Sequence, residues 1–345
     1  MKLLICTQAV DKTDSNLGFF HRWIEEFAAH CEQVTVICLY RGEYSFPSNV
    51  RVLSLGKEEK TSKLTRIFRF YSYIFECRNN YDAVFVHMNA EYAVLGGWLW
   101  RRWGKKVSLW YAHKSVTRTL QFAMRFLDYV FTVAPDSFKI QSEKIRAVGH
   151  GIDTELFKPD IRESSIETRL ITTGRIAQSK KILEMLEVLD VLHERGKIFM
   201  FTIVGEATTP EEERYEAKLK QEIGRRPYHA KVHMRGGLLH DNLPQVLNLH
   251  DMFLNFGMTG NMDKAGLEAL SCGVPVLTTN TSFKDLLIPF DLFVPSNHPA
   301  LIADTLEKFV GKSDKEKSGI AATLRNKVVA DHSLTRLIPK ILSHF

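Results

Sequence analysis

Short apolar runs alternate with segments of helical periodicity along the chain. In the first half, runs rich in leucine and β-branched residues predict strands at 2–7, 34–39, 50–55, 83–87, 107–111 and 129–133. Apolar residues at helical spacing predict helices at 19–30, 90–103 and 116–127. This alternation is typical of a parallel sheet that is covered by helices on both faces.

The second half repeats the alternation after a polar, charged stretch at 160–168, which is typical of a linker. The pattern predicts strands at 170–173, 199–204, 232–234, 252–256 and 274–278, and helices at 182–195, 211–225, 243–249 and 264–271. We therefore predict an α/β protein of two doubly wound, Rossmann-like domains, 1–155 and 156–325, facing a central cleft. A helical tail, 326–345, follows, and the N-terminal domain is one place where it can pack.

Composition narrows the class of protein. The chain has 345 residues, more than a typical single domain, and its 45% hydrophobic and 25% charged residues are typical of a globular protein. No apolar run reaches the roughly 18 residues of a membrane-spanning helix. Five cysteines without a CxxC pair predict free, buried thiols in a reducing cytoplasm. The net charge of +6 suits an anionic substrate or membrane surface, but does not itself distinguish these from nucleic acid.

The stretch 259–275 carries the most chemistry. It begins as a polar loop after an apolar run, continues as the helix 264–271, and ends at Gly273, where a left-handed cap suits glycine. A loop in this position lies at the carboxyl edge of a parallel sheet, where ligands bind. It carries Asp263 and Lys264, and Glu268 follows one helical turn later. The alternative is an ordinary connection with solvated charges.

Residues 267–276 resemble the nucleotide-sugar motif of retaining glycosyltransferases of family 4, and Glu268 matches the second glutamate of that motif. The first glutamate falls on Gly260, and Asn261-Met262-Asp263 replaces the family's Gly-Phe-Gly turn. Four short motifs add to the similarity, at 149–153, at Gly174-Arg175-Ile176 with Lys180, at 204–206 and at 332–334. The resemblance implies the GT-B fold and a metal-independent, retaining transfer from a nucleotide sugar bound by the C-terminal domain.

The resemblance also implies roles for individual residues. A nucleotide sugar leaves as a nucleoside diphosphate, so in the absence of a metal ion protein cations must stabilise the growing charge. Arg175 and Lys180 are the predicted catalytic and phosphate-binding cations, and Glu268 is predicted to accept hydrogen bonds from the ribose hydroxyls. The alternatives are solvated cations and a helix-terminal charge that the dipole stabilises. The UDP- or GDP-linked donor is a substrate, and neither a cofactor nor a metal is implied.

The loop before Glu268 departs from the family and needs its own interpretation. Gly260 can supply only its backbone, so we predict Asp263 as the principal acidic group of a sugar-binding loop. Its carboxylate either accepts sugar hydroxyls or caps the helix amides. Asn261 can supply a neutral hydrogen bond to the sugar, Met262 completes the loop, and Lys264 can reach phosphate or pair with Asp263.

Three residues of the N-terminal half are further candidates. Gly18 resembles the family's glycine loop, whose backbone approaches the donor phosphate, although the usual glycine pair is absent and a plain turn is the alternative. His113, which follows strand 107–111, resembles the family histidine that contacts the donor sugar near the reacting carbon, and is a predicted catalytic residue. His87 ends strand 83–87 and has either a functional or a structural role.

Two function classes remain open. The first is a retaining glycosyltransferase that moves a sugar from a nucleotide diphosphate sugar to a glycan or lipid-linked acceptor in cell-envelope polysaccharide synthesis, with a nucleotide-sugar epimerase of the same fold as a variant. The second is a degenerate GT-B protein that binds a sugar nucleotide or a partner without turnover, which the missing first glutamate favours. Neither class implies a nucleic-acid partner.

Two segments predict a membrane-facing surface. Between Lys60 and Arg78, one helical face carries the apolar residues Leu64, Ile67, Phe68, Tyr71, Ile74 and Phe75, with cations interleaved. Between Trp98 and Lys106, tryptophans alternate with cations. These patterns predict a cytoplasmic protein that lies peripherally on an anionic membrane surface. The alternative is two core-packing faces with solvated cations.

Overall fold

The computed structural model describes residues 1–14, 17–161, 165–257 and 261–345. The described chain divides into two compact units. The first unit consists of Met1–Asp153 and Asp331–Phe345, and the second of Thr154–Ala330. The chain therefore passes from one unit to the other twice.

The first unit is built on a parallel sheet. In its described residues the strands are β1 (Lys2–Val10), β2 (Gln33–Arg41), β3 (Val50–Ser54), β4 (Ala83–His87), β5 (Lys106–Trp110), β6 (Tyr129–Thr132) and β7 (Ile145–Ala147). Their order is β3-β2-β1-β4-β5-β6-β7, and Leu3 of β1 lies opposite Val34 on one side and Ala83 on the other. Residues 3–6 are fully buried, because helices cover both faces of a parallel sheet.

The helices of the first unit largely follow the predicted pattern. In the segment Met1–Asp153 they are α1 (Phe19–His30), α2 (Lys63–Glu76), α3 (Ala90–Arg102) and α4 (Arg118–Ala123). Helix α1 buries the five apolar residues that its periodicity selects, Phe20, Trp23, Ile24, Phe27 and Ala28. Helix α4 is shorter than the predicted helix 116–127 at both ends. At its start, the side chain of Thr117 caps the helix by accepting a hydrogen bond from the amide of Leu120.

The second unit has a second parallel sheet, with β8 (Thr168–Thr173), β9 (Phe199–Val204), β10 (Val232–Met234), β11 (Met252–Asn255) and β12 (Val276–Thr278). Its helices are α5 (Ile182–Glu194), α6 (Pro210–Gly224), α7 (Leu243–Leu247), α8 (Lys264–Ser271), α9 (Lys284–Leu287) and α10 (Pro299–Val310). The strand order is β10-β9-β8-β11-β12, so β9 and β10 are added on one side of β8 and β11 and β12 on its other side. The loops that follow β8 and β11 therefore flank a topological switch point, where ligands bind in open α/β sheets.

Helix α8, in the stretch that the sequence singled out, has the predicted bounds. It ends before Gly273, whose φ of +72° lies in the left-handed region that glycine adopts at little cost. Arg325 closes the same end from α11 (Asp314–His332), because its guanidinium donates to the carbonyl oxygens of Ser271, Phe157 and Thr154. An arginine side chain thus satisfies carbonyl groups at the C-terminal end of α8 that the helix itself leaves without a partner.

The C-terminal segment belongs to the first unit. After α11 the chain forms α12 (Leu334–Leu342). The amide of Ile152 donates to the carbonyl of His332, and the amide of Leu334 donates back to the carbonyl of Ile152. Helix α12 buries Leu334, Leu337, Ile338 and Ile341. These contacts make residues near 152 and 333 neighbours in the same unit.

All five cysteines are free and buried, as the sequence predicted. Burial raises the pKa of the Cys272 thiol to about 12, and that of Cys6 even further. These thiols are therefore protonated and unreactive in the folded protein. In the part of the chain that the structure describes, no helix is long and apolar enough to cross a membrane.

Candidate active site

Charged side chains cluster at the switch point of the second sheet. The loop after β8 carries Arg175 and Lys180, and the loop after β11 leads into α8 with Asp263, Lys264 and Glu268. Because the carboxyl ends of parallel strands meet at one edge, two sequence-distant segments converge there. This topology is the reason why the sequence analysis expected these residues in one region of the fold.

Glu268 is the buried centre of a cluster of three polar side chains. Its Oε1 atom lies 2.7 Å from Nε2 of His240 and 3.2 Å from Nζ of Lys264, and those two nitrogens are themselves 3.2 Å apart. Burial alone raises the pKa of a carboxyl group, but the neighbouring charges of Lys264 and His240 outweigh burial here and lower the pKa of Glu268 to about 2. Glu268 is therefore a carboxylate at any physiological pH.

Asp263 does not cap its helix through its side chain, so the alternative interpretation of this residue as a helix cap is wrong. Although it occupies the N-cap position of α8, its carboxylate makes no hydrogen bond to the helix amides. Oδ1 instead lies 3.4 Å from Nζ of Lys180, and Oδ2 is buried without a hydrogen-bond partner among the described residues. Such an acceptor is costly unless a ligand supplies the missing donor.

The predictions for the other residues of the loop have different outcomes. Lys264 pairs with Glu268 rather than with Asp263. The carbonyl oxygen of Asn261 accepts a hydrogen bond from the side chain of Asn280, 2.9 Å away, and this bond anchors the loop to the segment after β12. Met262 is half-buried beside it. Gly260 lies outside the described residues, and its predicted role stays a prediction.

Arg175 pairs with a residue that the sequence analysis did not select. Its guanidinium donates to Oε1 of Glu212, at the start of α6, over 2.8 Å. The other oxygen of Glu212 accepts from the amide and hydroxyl of Thr208. Glu212 is nearly buried, and its pKa is lowered because these hydrogen bonds and Arg175 outweigh the effect of burial. Arg175 and Lys180 thus contact two different carboxylates.

The candidates of the first unit lie in ordinary packing environments. Gly18 precedes α1, and a Cβ atom there would lie 2.6 Å from the carbonyl oxygen of Asp14, so a tight turn already requires glycine. His113 is exposed beyond β5, with its ring against the edge of Tyr111. His87 is buried, stacks on Phe20 at 3.8 Å, and lies 3.2 Å from the hydroxyl of Thr7. Donor contacts for Gly18 and His113 stay predictions.

The sequence analysis missed His240 and Glu212. His240 lies 28 residues before Glu268, and no local pattern links the two residues. Glu212 sits in the first turn of a helix among other acidic residues, where solvated carboxylates are common because the dipole favours them. Only the three-dimensional structure shows that both contact predicted site residues. Among the residues that the structure describes, no group of three or more His, Cys, Asp or Glu is arranged to hold a metal ion.

The arrangement has a clear chemical capacity. Lys180, Lys264 and Arg175 supply cations that can neutralise a diphosphate, and Oδ2 of Asp263, which has no hydrogen-bond partner among the described residues, can accept a hydrogen bond from a hydroxyl group. Glu268, permanently ionised, can accept hydrogen bonds from a diol. Cations and hydroxyl acceptors on one edge of a Rossmann-like sheet suit a phosphorylated sugar ligand.

The fold is that of the GT-B class, as the sequence predicted. An Anabaena protein, HepE, solved in complex with UDP and glucose, superposes with a TM-score of 0.75 over 100% of this chain and 99% of its own, at 15% sequence identity. Residues 167–312 match the family model of glycosyl transferases group 1.

Two bacterial relatives agree with the family match. An Escherichia coli UDP-Gal:alpha-D-GlcNAc-diphosphoundecaprenol alpha-1,3-galactosyltransferase is 22% identical over 221 residues, 57% of this chain and 53% of that protein. The amylovoran biosynthesis glycosyltransferase AmsK of Erwinia amylovora is 24% identical over 216 residues, 58% of this chain and 52% of that protein. The matches thus span about half of the length of these relatives.

Proposed function

We propose that this protein is a retaining glycosyltransferase that moves a sugar from a UDP- or GDP-linked donor to a glycan or lipid-linked acceptor, without a metal ion. The observation that carries the proposal is the charge cluster at the switch point of the second sheet. There Lys180 pairs with Asp263, and Lys264 and His240 hold Glu268. The proposal is supported by the position of this cluster, which lies within the residues matched to glycosyl transferases group 1.

The cluster can perform the electrostatic part of the reaction. Negative charge grows on the leaving diphosphate, and preorganised cations stabilise such charge strongly in a water-poor site. The ribose hydroxyls donate to Glu268, and a donor-sugar hydroxyl donates to Oδ2 of Asp263. His113 is the proposed contact to the sugar near the reacting carbon. The leaving phosphate itself takes the acceptor proton.

A panel of radiolabelled nucleotide sugars tests this function. We expect transfer or slow hydrolysis with one UDP- or GDP-linked sugar, with the anomeric configuration retained and the rate unchanged by EDTA. A rate abolished by EDTA would contradict metal independence. Tight nucleotide binding with no turnover of any donor would instead indicate a binding protein of the same fold, and interconversion of sugars without transfer would indicate an epimerase.

Asp263→Asn isolates the loop that departs from the family. Asparagine keeps the size of the side chain but removes the charge that faces Lys180 and weakens the unpaired acceptor. We expect turnover to fall about 10- to 100-fold, since a hydrogen bond to a charged group is worth about 1.5–3 kcal/mol. The melting temperature should change little, because no cap bond is lost. Unchanged turnover would remove Asp263 from the sugar site.

We further propose that the protein acts at the surface of an anionic membrane, on the cytoplasmic side, where free thiols such as its own persist. Helix α2 buries Phe70 and Ile74 but leaves Leu64 (69%) and Phe68 (75%) exposed. On α3, Trp98 is 62% exposed, whereas Trp100 is buried and donates to the hydroxyl of Tyr81. The core-packing alternative is therefore correct for Ile74 and Trp100, but not for the exposed residues.

Helices α2 and α3, which carry these exposed apolar residues, pack together in one region of the first unit. The hydroxyl of Tyr71 donates to the carbonyl of Leu95, and the ring of Phe75 packs at 5.1 Å against Trp103, so the two helices lie side by side. Cations flank this region, among them Lys63, Arg66, Arg78, Arg101 and Arg102. Exposed apolar residues with flanking cations suit an interface rich in anionic lipid.

Vesicle co-sedimentation tests the membrane proposal. We expect binding to vesicles of phosphatidylglycerol and phosphatidylcholine at low salt, and release at high salt, because each cation contributes roughly 1 kcal/mol near an anionic surface. Replacing Leu64 and Phe68 together by serine should weaken binding about tenfold or more, through lost apolar burial. Leu301→Ser, at an exposed leucine of the second unit, is the matched control. No binding at low salt would end the proposal.

A further inference from the structure

A stack of aromatic rings lies at the carboxyl edge of the first sheet, and its histidine lies in α1, one turn after Gly18. His21 of α1 stacks on Phe46, with ring centroids 4.1 Å apart and an interplanar angle of 18°. Phe46 also stacks with Tyr44, at 5.5 Å and 27°. Tyr44 is the exposed member, at 39% of its surface. We call these three residues the ring stack.

Hydrogen bonds tie the ring stack to the neighbouring segments of the first unit. The amide of Ser45 donates to Nε2 of His21 over 3.2 Å, so the segment after β2 is tied to α1. The amide of Lys12 donates to the carbonyl of Glu43 over 2.8 Å, which ties the same segment to the loop after β1. An ordered aromatic surface on an exposed segment costs little further entropy when a ligand binds.

A carboxylate contacts the segment that carries two rings of the ring stack. Asp11 accepts through Oδ1 from the amide and hydroxyl of Thr13, and its Oδ2 atom lies against Gly42, where a Cβ atom would be only 2.0 Å away. Gly42 is two residues before Tyr44. The site thus combines a flat aromatic surface with an oriented hydroxyl acceptor.

We propose that the ring stack is the subsite for a pyranose ring of the acceptor. An aromatic face carries negative charge, and the polarised C–H groups on one side of a pyranose are positive, so the two faces attract each other while water is displaced from both. Asp11 accepts a hydroxyl at the edge of the sugar. Assignment of this sugar to the acceptor rests on the proposed glycosyltransferase function, because the charge cluster proposed to hold the donor nucleotide lies in the second unit.

Saturation-transfer NMR on the full chain tests the subsite directly. The probes are the methyl glycosides of glucose, galactose and N-acetylglucosamine, titrated separately. We expect saturation of the ring protons of at least one glycoside. Tyr44→Ala and Tyr44→Leu should weaken its binding about fivefold or more, since leucine keeps apolar bulk but not the aromatic face. Tyr44→Phe should bind as the wild type does.

Phe122→Ala is the matched control, because it removes another exposed ring of the same unit. It should leave binding unchanged. The proposal is overturned if no glycoside is saturated, or if Tyr44→Ala binds the glycoside as tightly as the wild type. It is also overturned if Tyr44→Ala loses UDP or GDP instead, since the rings would then stack on a nucleobase.

Nucleotide binding in the same samples separates the two proposals. Binding of UDP or GDP that is unaffected by Tyr44→Ala, together with glycoside binding that needs Tyr44, supports both. Glycoside binding that needs Tyr44 in a protein that binds no nucleotide supports the sugar subsite and contradicts the proposed donor chemistry. Nucleotide binding without any glycoside binding supports the proposed donor site and contradicts the sugar subsite.

Discussion

Lys180→Ala is expected to lower turnover by about 10²–10³, the usual cost of removing one preorganised donor from a developing charge. The ammonium of Lys180 lies over the backbone of Gly174, close to where a Cβ atom would sit, and 3.4 Å from Asp263. It is therefore held at the switch point before the donor arrives and needs no rearrangement. Steady-state turnover with the donor found in the panel is the measurement.

Lys315→Ala provides the control, since Lys315 is an exposed lysine of the same unit. Arg175→Ala should show a comparable loss. If both cations act on one diphosphate, the double variant should lose less than the sum of the single losses in free energy, because groups that share a partner couple. Wild-type turnover in both single variants would mean that the diphosphate binds elsewhere.

Glu268→Gln should destabilise the protein by about 3 kcal/mol, since removing one partner of a buried ionic pair leaves the other partner uncompensated. The Glu268 side chain is almost completely buried, and Lys264 and His240 both point to its Oε1 atom. Urea unfolding measures the loss. Glu187→Gln, at an exposed glutamate of α5, should change nothing.

The loss should depend on pH in a defined direction. The folded pKa of Glu268, about 2, lies below its usual 4.5, so its stabilisation is complete above pH 4.5 and disappears as the pH falls towards 2. The stability gap between the wild type and Glu268→Gln should therefore narrow over that range. A gap that stays constant between these pH values would show that the carboxylate charge is not what stabilises the fold.

A compensating change separates the structural role of Glu268 from its binding role. Adding Lys264→Met to Glu268→Gln removes the orphaned charge and should recover much of the lost stability. It should not recover donor binding, because neither the carboxylate for the ribose diol nor the ammonium of Lys264 for the diphosphate remains. Recovery of both would assign Glu268 to folding alone.

The sequence predicted those elements whose patterns are local. The bounds of β4, β9, α1 and α8 agree with the prediction, because continuous apolar runs or helical periodicity define them without help from distant residues. Helix α10 was not predicted, although Ile302, Ala303, Leu306 and Phe309 have helical spacing, and α4 was predicted too long. Boundaries set by capping and by turns depend on side-chain geometry that periodicity does not record.

The partners of the site residues were beyond the reach of the sequence. Motif spacing selected Arg175, Lys180 and Glu268, but it could not show that Glu212 and His240 contact them, because these contacts join segments 28 and 37 residues apart. The same limitation applies to Asp263, for which spacing allowed both a cap and a ligand group. The structure excludes the cap because the carboxylate turns to Lys180 instead of to its own helix.

The double passage of the chain between its units has a consequence for biosynthesis. The second unit, Thr154–Ala330, is inserted within the first, which is complete only after Asp331–Phe345 has been added. On the ribosome, the unit that is started first is therefore finished last, which reverses the usual N-to-C order of domain folding. Leu337 and Ile338 of α12 are buried in the finished first unit, so the nascent unit lacks part of its core until α12 has been synthesised. We therefore expect chaperones and proteases to act on a chain whose synthesis stops early, because its core remains exposed.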